Sequence, residues 1–365
     1  MAELIIYTEK IKDNIKKLSE FFDKHDKSWS LITKVFSGDK FFLKNVLTED
    51  VIDKIYSIGD SRLTSLKNLK EVNPSIRTIY IKPPAAIYAD EVVRYADISL
   101  NSSFSTIEAL NEAAKKQEVY HMIIIMIELG ELREGVQRVD IIDFYEKVFN
   151  LSNIIVVGIG SNLGCMYGVA PTYDKLLQLT LYKELISAKF NKNLPFISGG
   201  SSITLPLIEN GEIPNEVNHF RVGEAAFFGI SPLENKPFMN LVQDTFEFYA
   251  NIIELEEKKL VPDGIISDGS IGHVKEINVK NSTEKSFKAI LDFGLLDVDQ
   301  KDLSSEDTEL DFVGITSDML VVDLGENIDS NGNVKYKVGD QLKFYPSYMA
   351  VARLLNSKFI DKIYK

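Results

Sequence analysis

The sequence predicts an α/β protein, a closed TIM (β/α)8 barrel followed by a mostly antiparallel C-terminal β domain. Between about residues 28 and 230, eight short β-branched runs alternate with stretches of helical spacing. This alternation is typical of parallel strands joined by right-handed crossovers, and eight such units close a barrel. After Pro232, alternating apolar segments are separated by polar turns, which is typical of antiparallel sheets. We therefore place the domains at 1–232 and 233–365.

The elements follow from local patterns. A leading helix is predicted over Thr8 to Phe22, where apolar residues recur at helical spacing. The predicted barrel strands are Ser30–Val35, Ser57–Asp60, Thr78–Lys82, Asp97–Leu100, Met122–Ile127, Ile154–Gly158, Pro195–Ser198 and Phe220–Gly223. Those of the second domain are Phe287–Phe293, Phe312–Ile315, Leu320–Leu324 and Gln341–Phe344, with few helices before Met349–Leu355. The acid-rich stretch Asp297–Asp311 is predicted to be a solvated connection.

Composition excludes several classes of protein. The chain has 365 residues and a formal net charge of -13, which argues against a nucleic-acid partner because phosphate binding needs a basic surface. Its one cysteine, Cys165, excludes an intramolecular disulfide and fits a reducing compartment. No signal peptide is evident, and the longest apolar run is far short of the roughly 20 residues that span a bilayer. We expect a cytoplasmic protein without a membrane partner.

Polar and ionisable residues collect where the predicted barrel strands end. In barrels this face carries the active site. Lys34 closes the first apolar run, and an amine in apolar surroundings loses its proton readily, which suits it to Schiff-base chemistry. The alternative is a structural lysine whose amine reaches water.

Two glycine-containing segments follow the seventh and eighth predicted strands, where barrels often bind a phosphate group. In Ser198–Ser202 the glycines admit close backbone approach, and the hydroxyls of Ser201 and Ser202 add donors. Gly223 has the same property after Arg221. Arg221 either forms a salt bridge at the rim or faces the nitrogen of a heteroaromatic cofactor. With Lys34, these residues suggest pyridoxal 5'-phosphate (PLP) bound as a Schiff base.

Several segments resemble those of the ornithine racemase branch of the alanine racemase superfamily, which are fold-type III PLP enzymes. The segments are Thr33–Asp39, Gly59–Arg62, Glu128–Val136, Gly158–Leu163, Ser198–Ser202, Arg221–Ala225 and Gly314–Asp318. The resemblance runs in order over nearly the whole chain. It implies a PLP barrel with a C-terminal β domain, and a head-to-tail homodimer whose sites include partner residues.

The resemblance also implies roles for individual residues. Lys34 matches the Schiff-base lysine, which is also one catalytic base, and Arg221 matches the partner of the pyridine nitrogen. Other implied cofactor contacts are Arg133, Asn162, Ser202, Gly223, Glu224 and, from the β domain, Tyr348. Ser317 and Asp318 match residues that the partner subunit places near the substrate. No metal site is expected.

One departure concerns the second acid. Alanine racemases use a tyrosine of the β domain on the face opposite the lysine, and Leu295 stands at that position here. Leucine cannot transfer a proton. The candidates for a replacement are Cys165, Ser317, Asp318, Tyr348 and Asp297. A thiol can act as an acid or base where its surroundings favour the thiolate, although a lone cysteine is more often a small buried apolar side chain.

The predicted function is a PLP-dependent racemase acting on a basic amino acid, such as ornithine or lysine, or on a broad range. Glu128, Asp297 and Asp318 could balance a side-chain ammonium group. The main alternative is a PLP-binding protein without racemase turnover. A decarboxylase of the same fold type would need an acid where Arg221 stands, and a metal-assisted aldolase would need a cysteine beside His273. A phosphate- or sugar-binding barrel remains if Lys34 is only structural.

Overall fold

The computed structural model describes residues 1–233, 235–267, 272–274 and 284–365, which form two compact units. One unit is Glu9–Gln243, and the other joins Met1–Thr8 to Asp244–Lys365. The sequence predicted that the first residues belong to the barrel domain. The structure places them in the second unit, because the strand Glu3–Ile6 pairs with strands of that unit.

The first unit contains a closed barrel of eight parallel strands. In chain order they are Ser28–Ile32, Ser57–Asp60, Thr78–Tyr80, Ile98–Asn101, His121–Met126, Ile154–Gly160, Phe196–Gly200 and His219–Val222, here called the first to eighth barrel strands. The first strand pairs with both the second and the eighth, which closes the barrel. The predicted barrel is confirmed. The first strand, however, ends at Ile32 rather than Val35.

Helices separate the barrel strands. They are Thr8–Lys24, Lys40–Asn45, Glu49–Ile52, Leu63–Val72, Ala89–Tyr95, Phe104–Lys116, Ile141–Phe149, Tyr173–Phe190, Leu205–Glu209 and Glu224–Phe228. Single turns of 3-10 helix lie at Lys34–Phe36, Ala86–Tyr88, Arg138–Asp140 and Ser202–Thr204, and a two-stranded ribbon pairs Ile230–Ser231 with Lys236–Pro237. The leading helix buries Ile11, Ile15 and Leu18 on one face, as its apolar spacing predicts.

The second unit is a mostly antiparallel sheet, as predicted. Its strands are Glu3–Ile6, Phe246–Lys259, His273–Val274, Lys285–Leu291, Leu303–Ser305, Asp311–Ile315, Leu320–Asp323, Gln341–Pro346 and Asp361–Tyr364, and its helix is Tyr348–Asn356. Among the described strands of the second unit, only Glu3–Ile6 and Asp361–Tyr364 pair in parallel. The long strand Phe246–Lys259, absent from the sequence prediction, pairs with three others and organises the sheet.

The prediction of a solvated connection over Asp297–Asp311 is wrong. Asp297 and Asp299 are buried, and the segment contains a 3-10 turn and the short strand Leu303–Ser305. The Asp297 carboxylate accepts hydrogen bonds from the Ser357 hydroxyl at 2.6 Å and from the Gly294 amide at 3.3 Å. Glu306, Glu309 and Asp311 are exposed, whereas the buried Asp297 holds the local backbone. Among the described residues, no helix is long and apolar enough to cross a membrane.

Candidate active site

Lys34 lies just beyond the first barrel strand, at the carboxyl-terminal edge of the barrel. The chain turns at Thr33, whose amide donates to the carbonyl of Gly59, and Lys34 begins a single turn of 3-10 helix. The side chain is exposed, so the prediction of a lysine within a buried strand is wrong. Burial raises the pKa of the nearby Glu224 carboxyl, and the positive charge of Lys34 opposes that rise. Lys34 and Glu224 therefore interact electrostatically.

Arg221 lies on the eighth barrel strand, which pairs directly with the first, and its side chain is only 5% exposed. One terminal nitrogen, Nη1, donates to the Ser198 carbonyl at 3.3 Å and to the Ser198 hydroxyl. The other, Nη2, donates to the Ser161 carbonyl at 2.8 Å and to Asn162 Oδ1 at 2.6 Å. These four bonds use four of the five N–H donors of a guanidinium. Within the described part of the chain, Nε–H has no hydrogen-bond acceptor.

The charge of Arg221 is retained at neutral pH. Burial lowers the pKa of Arg221 to about 10, and the negative charge of Glu134 opposes this fall. A buried guanidinium held by neutral oxygens is a fixed donor with an unused N–H. Such a group suits an acceptor ligand that carries no proton at the contacting atom.

Asn162 connects Arg221 to a carboxylate. Its Oδ1 accepts from Arg221 while its Nδ2 donates to Glu134, so the two contacts fix which way the amide faces. Glu134 also accepts from Arg133, which donates through Nε and through Nη2, the latter at 2.7 Å. Burial favours the neutral form of Glu134, but the hydrogen bonds from Arg133 and Asn162 outweigh it and hold the pKa of Glu134 below its ordinary value.

Arg221 is supported from below by a chain of neutral groups inside the barrel. The Ser198 hydroxyl lies 2.8 Å from His219 Nδ1, and His219 Nε2 lies 2.9 Å from the Ser30 hydroxyl. Ser30 in turn contacts Ser57 at 2.7 Å. Burial lowers the pKa of His219 to about 3, so the ring is neutral. Because Arg221 only donates, we assign Nδ1 as the acceptor for the Ser198 proton and Nε2 as the protonated nitrogen.

The loops after the seventh and eighth strands meet at the same edge of the barrel. The Ala225 amide donates to the Ser202 hydroxyl at 3.1 Å, which joins the two loops. Ser201 precedes the 3-10 turn Ser202–Thr204, and Gly223 precedes the short helix that begins at Glu224. Gly223 cannot carry a side chain, since a Cβ there would lie 2.8 Å from the Ile32 carbonyl. The two predicted phosphate-binding segments are therefore adjacent.

Gly199 and Gly200, which end the seventh strand, have a packing role that the sequence did not indicate. A Cβ on Gly199 would lie 2.2 Å from Val217, and one on Gly200 would lie 2.0 Å from the Thr204 hydroxyl. That hydroxyl is buried and has no hydrogen-bond partner among the described residues. A small anion with several acceptor oxygens would fit this pair of loops.

Cys165 is exposed, not a buried apolar side chain, and lies in the loop after the sixth barrel strand. Its sulfur lies close enough to both site arginines for a thiolate there to raise their pKa values. The pKa of Arg133 is raised above its ordinary value, chiefly by the hydrogen bond to Glu134, with a smaller contribution from Cys165. Negative charge on Cys165 also opposes the fall in the pKa of Arg221. Cys165 is therefore part of the charged cluster at this edge.

Two of the acids proposed to balance a substrate ammonium have other partners. Glu128 is buried, and its carboxylate accepts from the amides of Gly130 and, at 3.2 Å, Arg133. Asp297 is buried and bonded to Ser357 within the second unit, as described above. Asp318 is exposed and accepts from the Ser317 hydroxyl at 2.9 Å.

The structure thus gathers one set of predicted residues at the carboxyl-terminal edge of the barrel. They are Lys34, Arg133, Asn162, Cys165, Ser201, Ser202, Arg221, Gly223 and Glu224. Ser317, Asp318 and Tyr348 belong to the second unit, where Tyr348 begins the helix Tyr348–Asn356. In the described ranges, no group of three or more His, Cys, Asp and Glu side chains is arranged to hold a metal ion.

Sequence reasoning missed three residues of this region: Glu131, Glu134 and His219. Glu131 and Glu134 lie in the Glu128–Val136 segment, within two residues of Arg133, which was identified as a candidate cofactor contact. Their partners are in the loop after the next strand, so sequence spacing did not reveal them. His219 is two residues before Arg221, and period-two spacing in a strand places both side chains on the same face. That signal was available.

Comparison with known proteins identifies the family. The family described as "Alanine racemase, N-terminal domain" matches residues 6–232. An ornithine racemase of Acetoanaerobium sticklandii is 33% identical over 361 residues, covering 99% of this chain and 98% of the relative. A lysine racemase of Thermotoga maritima is 29% identical over 362 residues, with the same coverage of 99% and 98%.

Solved structures show the same fold. An alanine racemase from Streptomyces coelicolor superposes with a TM-score of 0.72 at 14% identity, covering 100% of this chain and 97% of that one. An alanine racemase from Bartonella henselae with covalently bound pyridoxal phosphate gives 0.71 at 14% identity, covering 100% and 99%. The family match spans most of the chain and the curated relatives match it nearly end to end. The chain therefore belongs to the alanine racemase family of amino-acid racemases.

Proposed function

We propose that this racemase uses PLP and interconverts the L- and D-isomers of a basic amino acid, ornithine or lysine. The observation that carries the cofactor assignment is Arg221, a buried donor-only group whose Nε–H has no acceptor among the described residues. An unprotonated pyridine nitrogen is such an acceptor. When bound, PLP withdraws electrons from the α-carbon of an amino acid and makes its proton acidic.

The residues present fit the rest of the cofactor. Lys34 would hold the aldehyde carbon, and Ser201, Ser202, Gly223 and Glu224 would surround the phosphate in the two adjoining loops. The buried, unpartnered Thr204 hydroxyl beside Gly200 supports an anion site there. Asn162 accepts from Arg221 and is joined to Arg133 through Glu134, and Arg133 and Asn162 would bind the remaining ring substituents.

Proton transfer needs one group on each face of the α-carbon. The Lys34 amine, exposed at the barrel edge, would remove or return the proton on one face. For the opposite face we propose Cys165, because its thiol is exposed and lies near the Arg133 and Arg221 guanidinium groups, which would stabilise a thiolate. Ser317, Asp318 and Tyr348 would come from the second unit, Ser317 and Asp318 from a partner subunit in a head-to-tail homodimer.

The substrate class rests on the relatives, which are an ornithine racemase and a lysine racemase. Since Glu128 and Asp297 are occupied, the exposed Asp318 is the remaining acid for a side-chain ammonium. A cationic substrate also suits the net charge of -13.

The test is incubation of the PLP-loaded enzyme with L-ornithine, L-lysine and L-alanine in deuterated water. We expect deuterium at the α-carbon together with the D-isomer, fastest for the basic substrates. Reduction with borohydride followed by peptide mass spectrometry should find the cofactor on Lys34. Lys34→Ala should lose both the adduct and turnover. Lys40→Ala, which removes an exposed lysine paired with Glu71, should lose neither.

The Cys165→Ser variant separates the racemase from a protein that only binds the cofactor. General acid–base groups contribute about 10²–10⁴-fold, so the D-isomer should form at least about a hundredfold more slowly. With the L- and D-isomers supplied separately, deuterium should still enter the one enantiomer whose α-proton faces Lys34. No exchange and no inversion in the wild type would refute the racemase assignment. Unchanged inversion in Cys165→Ser would refute only the role of the thiol.

A further inference from the structure

Glu131 is a buried carboxylate that contacts a neighbouring loop rather than its own. It lies in the loop after the fifth barrel strand and is 2% exposed. Its two oxygens face the loop Gly164–Val169, which follows the sixth strand. No role in binding or catalysis was expected for it from the sequence.

Five backbone amides of that loop donate to this single carboxylate. Oε1 accepts from Gly164 and Val169, both at 2.8 Å, and from Cys165 at 3.3 Å. Oε2 accepts from Met166 at 2.8 Å and Tyr167 at 3.1 Å. Converging amides of this kind form an anion-binding nest, and here the anion is a side chain of the protein itself.

The loop geometry depends on this anchor. Gly164 and Gly168 have positive φ, +68° and +71°. The Gly164 amide donates both to the Glu131 carboxylate and to the Val169 carbonyl, each at 2.8 Å. Burial favours a neutral Glu131, but the hydrogen bonds from the loop amides outweigh it and lower the pKa of Glu131 below its ordinary value. The loop therefore stabilises the charge, and the charge stabilises the loop.

The anchored loop carries and touches parts of the proposed site. It contains Cys165, and it begins two residues after Asn162, the amide that binds Arg221. Gly164 packs against Ile203, since a Cβ there would lie 2.3 Å from the Ile203 side chain. Ile203 follows Ser202 in the proposed phosphate segment. A displacement of this loop would thus reach the thiol, the neighbouring Asn162 that binds Arg221, and the proposed phosphate segment.

We propose that Glu131 is a positioning residue for racemisation, holding the loop Gly164–Val169 so that the Cys165 thiol is fixed for proton transfer. This inference rests on the proposed function, in which Cys165 serves the face opposite Lys34. Glu131 itself need not touch the substrate.

Glu131→Gln is the sharpest variant, because it preserves the shape of the side chain. A glutamine amide has one acceptor oxygen, so at least two of the five loop amides lose their acceptor and face an NH₂ group instead. We expect amide hydrogen exchange in the loop to accelerate about tenfold or more, with global unfolding still cooperative. In Glu131→Asp, which keeps the charge, loop amides should exchange faster than in the wild type and more slowly than in Glu131→Gln.

The functional signature is the partition between exchange and inversion at the α-carbon in deuterated water. Misplacing a catalytic group by about 1 Å can cost about a hundredfold in rate. Glu131→Gln should therefore lose inversion by about tenfold or more while retaining deuterium uptake in one enantiomer, as Cys165→Ser does. If Glu131 had a purely structural role, Glu131→Gln would slow inversion and deuterium uptake by the same factor.

Asp329→Asn is the matched control, because Asp329 holds an exposed turn of the second unit by the same device. Its carboxylate accepts from the amides of Asn331 at 2.8 Å and Asn333 at 2.9 Å. Both amides share Oδ1, and asparagine keeps one acceptor oxygen, so this variant should leave exchange in that turn and the partition both nearly unchanged. Unchanged loop exchange in Glu131→Gln, or faster loop exchange with an unchanged partition, overturns the inference. A wild type without racemase activity overturns the proposed function, and this inference falls with it.

Discussion

The two units use buried polar groups in different ways. In the barrel, one network of hydrogen bonds runs between side chains of different strands, from Ser57 through Ser30, His219 and Ser198 to Arg221. In the second unit, carboxylates such as that of Asp297 bond mainly to nearby turns and caps.

The difference lies in what each arrangement leaves available. A network of side chains that converges on Arg221 leaves one fixed cation with an unused N–H at the barrel edge. Carboxylates that are occupied by backbone amides leave nothing for a ligand. We infer that the proposed cofactor chemistry is concentrated in the barrel. Because the Asp297 carboxylate bonds to Ser357 and Gly294 of its own unit, we propose that it is a structural acid rather than the second catalytic acid.

The largest effect that tests this comparison is expected from Arg221→Ala. It leaves the Ser161 and Ser198 carbonyls and Asn162 Oδ1 without their donor in a buried site, and breaking such a network costs about 3–5 kcal/mol. The measurement is the free energy of unfolding in urea. Arg353→Ala in the second unit removes an exposed arginine that lies 3.4 Å from Asp302, and should cost no more than about 1 kcal/mol. Equal costs would contradict the comparison.

The second prediction concerns pH and the buried histidine below Arg221. The pKa of His219 is lowered to about 3 by burial, against about 6.5 in the unfolded chain. Between these values the unfolded state binds more protons, so stability is full above about pH 6.5 and is lost as the pH falls toward 3. Within that window, each such proton lowers the free energy of unfolding by about 1.4 kcal/mol for every unit that the pH falls.

His219→Gln removes the ring that titrates, so one proton fewer is taken up on unfolding. The glutamine amide can still form hydrogen bonds to Ser198 and Ser30. The slope of unfolding free energy against pH, measured between about pH 6 and 5, should therefore become shallower than in the wild type. His121, whose pKa burial lowers to about 4, supplies a second proton and should leave part of the slope in place. An identical slope in His219→Gln would show that the ring is not held neutral.

The sequence predicted the barrel well because its signal is local. Eight β-branched runs with helical spacing between them identify the strands, and polar residues after each run indicate the functional edge. It predicted the second unit less well. The strands Glu3–Ile6 and Phe246–Lys259 pair although more than 200 residues separate them in the sequence. Local sequence patterns therefore do not identify either strand's partner.

Within the site, residue types were predictable and their partners were not. Lys34 and Arg221 were identified from their positions at the ends of the first and eighth predicted strands, but the exposure of Lys34 depends on the turn at Thr33. The links from Glu134 to Asn162 and from Glu131 to Gly164–Val169 join two loops that are adjacent only because the fifth and sixth strands pair. Side-chain partners across neighbouring loops follow from the closed sheet, which sequence spacing does not encode.

The smallest expected effect is in the second unit, at the buried Asp297. Ser357→Ala removes the hydroxyl that donates to its carboxylate at 2.6 Å, and losing one such bond to a charged group costs about 1.5–3 kcal/mol where no water replaces it. Because Ser357 is partly exposed, water can take its place, and we expect about 1 kcal/mol in urea unfolding. Asp297→Asn keeps an acceptor for Ser357 and should leave both exchange and inversion at the α-carbon unchanged. If Asp297→Asn instead abolished inversion in a fully folded protein, the second unit would contribute a catalytic acid, and the contrast between a reactive barrel and a structural second unit would fail.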